Sequence, residues 1–250
     1  MSIGVFCAVS QGEYPLLRHT LRPFIESEHT RSILILHTGP RPHPDFQSLA
    51  SEFPVVTELH SNFGEGYEVS VAQGGYDQLG ARNFAIEHVE ESGADWLIQF
   101  DADEFITRAG IDEIVRTPEI YDLVLFSYYT LVSRAAYWFE DRIARSVNGT
   151  ILNDPHPLIW RRCLEKRTEL CGNSAKLYVN HTRHCSVSFH NHPRWRVRAL
   201  DAPYHFHFHC LLGKRNADLR QRFKEFEAPL PADLLRCLDS MAAENLIRIG

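Results

Sequence analysis

The run Asp95-Trp96-Leu97-Ile98-Gln99-Phe100-Asp101-Ala102-Asp103-Glu104-Phe105 decides how the rest of the chain is read. Trp96 to Phe100 is a short apolar segment of strand-forming residues, bounded in front by Gly93 and Asp95, and it reads as a buried β-strand. Asp101, Asp103 and Glu104 follow at the carboxyl end of that strand. In an open α/β sheet this edge is where ligands bind. Two carboxylates at i and i+2 just past a strand can face a hard cation such as Mg²⁺ or Mn²⁺. Magnesium usually takes one or two carboxylates and fills the rest of its shell with water and substrate phosphates. The plainer explanation of Asp-x-Asp is an acidic turn that caps the next helix. The hydrophobic strand in front of it, and the surroundings described next, favour the cation.

Upstream, Ile3 to Val9 is nearly all apolar, as a central strand covered on both faces should be. After the Ser10–Glu13 loop, the spacing predicts a helix from Tyr14 to Glu28 with Leu17, Leu21, Phe24 and Ile25 on one face and a kink or break at Pro23. Ile33 to Leu36 is a second buried strand, ended by His37-Thr38-Gly39 and an irregular loop carrying Pro40, Pro42 and Pro44. Asp45 is expected to cap a short helix to about Phe53, and Val55 to Leu59 is a third strand. His60 to Gly75 carries four glycines and no periodicity, so it reads as a long loop over a site. A helix from Tyr76 to Ser92 follows, with Leu79, Ala85, Ile86 and Val89 toward the core and Glu87, Glu90 and Glu91 as solvated charges. Downstream, Gly110 to Arg116 is a short helix and Asp122 to Tyr128 a strand. The alternation predicts an α/β fold, a mostly parallel central sheet flanked by helices.

The second half is less regular. Tyr137-Trp138-Phe139 is an aromatic cluster, Asn153 to Pro157 a turn, and Leu158–Trp160 and Lys176–Val179 short strands. Arg194 to Arg198 alternates so that a strand would align three arginines. Tyr204 to Leu211 alternates too, placing His205, His207 and His209 on one face. Helical patterns run from Asn216 to Phe226 and from Ala232 to Ile249. Nothing divides the chain, so residues 1–250 are read as one domain, with 1–130 and 131–250 as its two halves.

The 250 residues are 44% apolar and 23% charged, an ordinary globular composition. A net charge of −6 argues against nucleic acid as a partner. No apolar run approaches the roughly 18 residues of a transmembrane helix. The N-terminus enters a strand pattern at once, without a basic region or cleavage site, and six scattered cysteines form no C-x-x-C pair, so a cytoplasmic protein with reduced thiols is expected. Seven of the 14 histidines fall between His181 and His209.

Gly80-Ala81-Arg82-Asn83, then a helix, then the acidic strand ending Asp101-Ala102-Asp103-Glu104-Phe105, resembles the middle of GT-A-fold glycosyltransferases, closest to family 2-like enzymes with an Asp-Ala-Asp-Glu-Phe motif of the DxD type. The first strand with Gln11 to Leu17 resembles the family's opening, and Lys176–His190 with Tyr204-His205-Phe206-His207 its later strand and His-aromatic element. The resemblance implies a nucleotide-diphospho-sugar-dependent transferase using Mn²⁺ or Mg²⁺, with a small-molecule, glycan or lipid-linked acceptor. A cation bridging the diphosphate would neutralise the charge that develops as the sugar leaves. The implied metal ligands are Asp103 directly, Asp101 through water or on the ribose, and a histidine, His207 or its neighbours His205 and His209. Arg82 would steady the diphosphate, with Lys214 and Arg215 as alternatives; the competing explanation for Arg82 is a surface charge on a helix. Many relatives read the base with an aspartate at the end of the second strand; here His37-Thr38-Gly39 stands there, leaving Glu13 or Thr38 to contact it. An inverting enzyme would need a carboxylate base, for which Asp154 and Glu104 are candidates and Asp201 a weaker one. Trp138 or Trp195 could stack on an acceptor sugar, although an aromatic packed in the core is the commoner outcome.

The histidines support a rival. His190, His192 and the aligned His205, His207 and His209 suit zinc, which would make the chain a zinc hydrolase built on its C-terminal half. A sugar-nucleotide-binding protein without catalysis is the third possibility.

Overall fold

The computed structural model describes residues 1–64, 77–138, 144–153, 159–162, 196–213 and 223–248. In chain order the elements are β1 (Ile3–Val9), α1 (Tyr14–Thr20), α2 (Arg22–Ile25), β2 (Thr30–His37), α3 (Ser48–Glu52), β3 (Val56–His60), α4 (Gln78–Glu90), β4 (Trp96–Gln99), β5 (Glu104–Ile106) and α5 (Arg108–Val115). There follow β6 (Leu123–Leu131), β7 (Ala136–Trp138), β8 (Ala144–Val147), β9 (Thr150–Asn153), β10 (Ile159–Arg161), β11 (Val197–His207), β12 (Phe223–Glu225) and α6 (Ala232–Ala243).

β1 is apolar throughout because both of its faces are covered. Val5, Cys7 and Val9 join Ile33, Ile35, Trp96 and Ile98 in one core, closed by Leu17 and Leu21 at α1, Phe24 of α2 and Leu234, Leu238 and Met241 of α6. Phe6 joins Leu34, Leu36 and Leu97 on the other face, under Ala81, Ala85, Ile86 and Val89 of α4. The strands β3, β2, β1 and β4 lie side by side and parallel, with Val5 opposite Ile33 and Ile98. β10 enters antiparallel between β4 and β6, and β11 runs parallel to β6. The sheet is therefore mostly parallel, as the alternation of elements implies. Its antiparallel members β5, β7 and β10 are short, three residues each. The β8–β9 hairpin stands apart as a second sheet, covering Leu123 and Leu125 with Val147 and Leu152.

The helix expected from Tyr14 to Glu28 has the break that Pro23 implies: it is two helices meeting at Leu21, and it ends at Ile25. Pro23 sits in the first turn of α2, where its missing N–H costs nothing, whereas inside one continuous helix it would clash with the carbonyl four residues back. Two expectations need correction. Of the helix expected from Asn216 to Phe226, the described residues Phe223–Glu225 form a strand, β12, which pairs with β7 through Phe223 opposite Trp138, while Phe226 packs against Tyr129, Tyr137 and Phe206. Aromatic packing against the sheet overrides the local helical spacing there. The separate strands expected around Arg196 and His205 are one strand, β11, with a register shift between Leu200 and His205. Arg198 on it and Arg196 just before it make structural bonds: Arg198 bonds Glu113 Oε2 at 2.6 Å and Thr117 Oγ1 at 2.8 Å, and the Arg196 amide donates to Asp122 Oδ2 at 3.0 Å.

The helix starts also differ slightly from expectation. α5 begins at Arg108 because Thr107 caps it, accepting the Gly110 amide at 3.1 Å. Asp45 does not cap α3; the residue before that helix is Gln47, in the left-handed conformation at φ 71°. The helix expected to run to Ile249 stops at Ala243. The Lys176–Val179 strand, His190, His192, Trp195, Asp154, Lys214, Arg215 and most of the His60–Gly75 loop lie outside the described residues.

Candidate metal and phosphate site

The acidic turn leaves β4 at Phe100 and re-enters the sheet at once as β5. That strand pairs antiparallel with the end of β11, with Glu104 opposite His207 and Ile106 opposite His205. The amide of Phe208 donates to the Asp103 carbonyl at 2.9 Å. Backbone pairing alone thus brings the carboxylates of one segment against the histidines of another, a hundred residues later. The register shift in β11 lies just before these histidines, and such bulges re-aim the side chains beyond them.

His207 Nε2 is 3.4 Å from Asp103 Oδ1, and His209 Nε2 is 2.9 Å from Asp103 Oδ2. The three residues offer ligand atoms all within 4.8 Å of one another. The two imidazole rings lie against each other, tilted by 53°, with centroids 3.4 Å apart. Asp103 is only 3% exposed. Burial pushes its carboxyl up, but hydrogen bonds and charge from His207 and His209 outweigh it and hold the group well below the usual carboxylate range. It is thus kept as a carboxylate, the form a metal requires. One carboxylate and two imidazoles form a donor set that fits a first-row divalent cation such as Mn²⁺ or Zn²⁺.

Asp101 stands beside this cluster, 3.8 Å from the guanidinium of Arg82, which α4 brings over the end of β4. Desolvation, then the charge of Glu104 and, more weakly, of Asp103 and Glu13, raise Asp101 to about 7 against the pull of Arg82. The Asp101 side chain keeps 48% of its surface open, so it is not sealed in the core. Glu104 lies deeper, at 3% exposure. Its carboxylate accepts the Asp101 amide at 3.2 Å and the Tyr128 hydroxyl at 3.3 Å, and His205 Nε2 lies 3.4 Å away. Burial lowers His205 to about 3, so its imidazole is neutral.

The structure therefore gathers Asp101, Asp103, Glu104, Arg82, His207 and, at the edge, Glu13 in one place. Glu13 also binds the loop after β1, accepting from Ser10 Oγ at 2.9 Å. Thr38 is not part of the group: it is buried, and its hydroxyl donates to the Val9 carbonyl at 3.3 Å. His37 turns inward onto Glu58, 3.0 Å away. Asp201 accepts from Ser127 Oγ at 2.6 Å. Trp138 lies in β7, paired with β12. The three aligned histidines do not share one ion site: His207 and His209 face Asp103, while His205 faces Glu104.

No protein-family model matches the chain, and no curated protein sequence does. Solved structures do match. The CMP:2-keto-3-deoxy-manno-octonic acid synthetase complexed with CTP superposes with a TM-score of 0.50 at 10% identity, over 98% of this chain and 100% of that one. TarS 1–349 from S. aureus superposes with a TM-score of 0.50 at 12% identity, over 98% of this chain and 66% of the other. The chain thus spans just under two thirds of that TarS fragment, and 40% of a longer TarS structure.

The fold is GT-A-like. In a GT-A-like sheet, the Asp101–Asp103 turn occupies the carboxyl edge that its sequence suggested. His209 and Tyr128 are the members of the site that sequence reasoning underrates. His209 is signalled by its alternation with His207. Tyr128 has no local signal, being one β-former among many in β6.

Proposed function

We propose that this chain is a metal-dependent glycosyltransferase, moving a sugar from a nucleotide-diphospho-sugar to an acceptor hydroxyl. The observation that carries the reading is the convergence of Asp103 with His207 and His209 at the carboxyl edge of the sheet, next to the Asp101–Arg82 pair. Asp103, His207 and His209 would hold the cation, with Asp101 contacting it through water or binding the ribose. The cation, Mn²⁺ or Mg²⁺, would offset the charge that builds on the departing diphosphate. Arg82 would bind the same diphosphate from the α4 side, with Lys214 as a second cation for it, and Glu13 would contact the nucleotide. Residues 1–130 would carry the donor and 131–250 the acceptor. Asp154, which follows β9, is our candidate for the base that deprotonates the acceptor in an inverting reaction.

Thermal stability is the test. A nucleoside diphosphate with Mn²⁺ should raise the melting temperature well beyond either alone, because each ligand binds the folded state and completes the other's site. Asp103→Ala should abolish that synergy, and a variant that keeps the full shift would overturn the metal assignment. The ligand screen includes nucleoside triphosphates, since a protein of this fold was solved with CTP. Release of pyrophosphate from a triphosphate, with no turnover of any nucleotide sugar, would replace glycosyl transfer by nucleotidyl transfer. Stoichiometric zinc with hydrolysis of a substrate lacking a nucleotide would favour the hydrolase instead.

A further inference from the structure

Glu104 is drawn into the motif by sequence as a candidate base, yet its carboxylate is buried, 3% exposed, and turned to internal partners. The bonds around it point elsewhere. The Glu104 amide donates to the Asp101 carbonyl at 3.0 Å, and the Glu104 carboxylate accepts the Asp101 amide at 3.2 Å. These reciprocal bonds close the four-residue turn at both ends, so the position of Glu104 fixes the path of Asp101 and Asp103. The other carboxylate oxygen accepts the Tyr128 hydroxyl at 3.3 Å. Tyr128, from β6, stands edge-on to His205 with centroids 4.7 Å apart and tilts against His207 at 5.1 Å. His205 points its buried Nε2 at the same carboxylate from 3.4 Å, without a hydrogen bond to it or to any other described group.

We infer that Glu104 and Tyr128 are positioning residues that preset the Asp103–His207–His209 cluster: Glu104 locks the acidic turn, and Tyr128 couples that lock to the histidine wall. The inference rests on the metal reading above. It assigns Glu104 the work of a brace and leaves the base to another carboxylate. Groups that orient metal ligands without touching the metal typically change its affinity by about 10–100-fold when altered.

The test is Mn²⁺ affinity of the nucleotide-free protein, read from the electron paramagnetic resonance signal of free Mn²⁺, beside the melting temperature of the metal-free protein. Tyr128→Phe keeps the ring and removes only the hydroxyl bond; it should weaken Mn²⁺ binding about 10-fold, and Glu104→Gln by 10- to 100-fold. Tyr128→Leu, which also removes the ring from His207, should be weaker than Tyr128→Phe. A role confined to packing would lower the melting temperature and leave the affinity of the folded fraction alone. If Glu104→Gln does not fold, Tyr128→Phe decides. If Asp103→Ala abolishes Mn²⁺ binding while Tyr128→Phe and Glu104→Gln stay within about twofold of the unaltered chain, the positioning role is overturned and the metal site stands. If Asp103→Ala leaves Mn²⁺ binding intact, the metal reading itself falls.

Discussion

Buried carboxylates mark this molecule at the scale of single residues, and each is buried with partners. Glu58, 2% exposed, accepts from the Tyr14 hydroxyl at 3.1 Å and from the amides of Gln47 and Ala50 at 3.1 and 3.0 Å, and lies 3.0 Å from His37 Nε2. Burial pushes its carboxyl up, but the bonds from His37, Ala50, Gln47 and Tyr14 win and hold it below its ordinary value of 4.5. A group whose folded value is depressed adds stability above its unfolded value and loses it as pH falls through the folded one. Glu58→Gln should therefore cost about 1–3 kcal/mol at neutral pH. Its melting-temperature deficit should shrink as pH drops below about 4.5, where the native glutamate also becomes protonated. A deficit that stays constant across that range would mean the charge of Glu58 is not what the network stabilises. Asp103 was legible in the sequence because two acids after a buried strand are informative by position. The inward turn of His37 was not, because its partner Glu58 lies on another strand.

The elements meet at closer range than their sequences announce. Gly4 brings β1 against α4: a Cβ there would lie 2.9 Å from Val89 Cγ2 and 3.2 Å from Ala94 Cβ. Gly4→Ala should destabilise the fold by about 1–3 kcal/mol, because the neighbouring chains are packed on both sides and have little room to shift. Gly12 is the control, since a Cβ there meets nothing within 4 Å; Gly12→Ala should leave the urea midpoint almost unchanged. Equal effects at the two positions would mean that the α4–β1 contact is looser than its geometry. Strand existence was readable wherever an apolar run had both faces to bury, as in β1, β2 and β4. Element type failed at Phe223–Glu225, where helical spacing lost to a sheet edge and an aromatic cluster drawn from β6, β7 and β11.

For the whole molecule, two segments far apart in sequence supply one donor set. Two imidazoles and one carboxylate suit a borderline first-row cation better than Mg²⁺, which prefers oxygen alone. Mn²⁺ should therefore bind the metal-free protein at least about tenfold more tightly than Mg²⁺, measured by titration calorimetry. Equal affinities would mean that His207 and His209 do not ligate. Among the described residues, no helix is long and apolar enough to cross a membrane.

The sequence by itself determined the parallel α/β core and the placing of Asp101 and Asp103 at its carboxyl edge, because strand burial and helix spacing are written locally, in runs of a few residues. Only the tertiary structure decided which histidines meet which acid, and that Glu104 and Tyr128 stand behind them. Those contacts depend on the register of β5 against β11 and on the shift between Leu200 and His205. A register of that kind is set by the packing of whole strands, and moving it by one residue would turn every histidine to the opposite face.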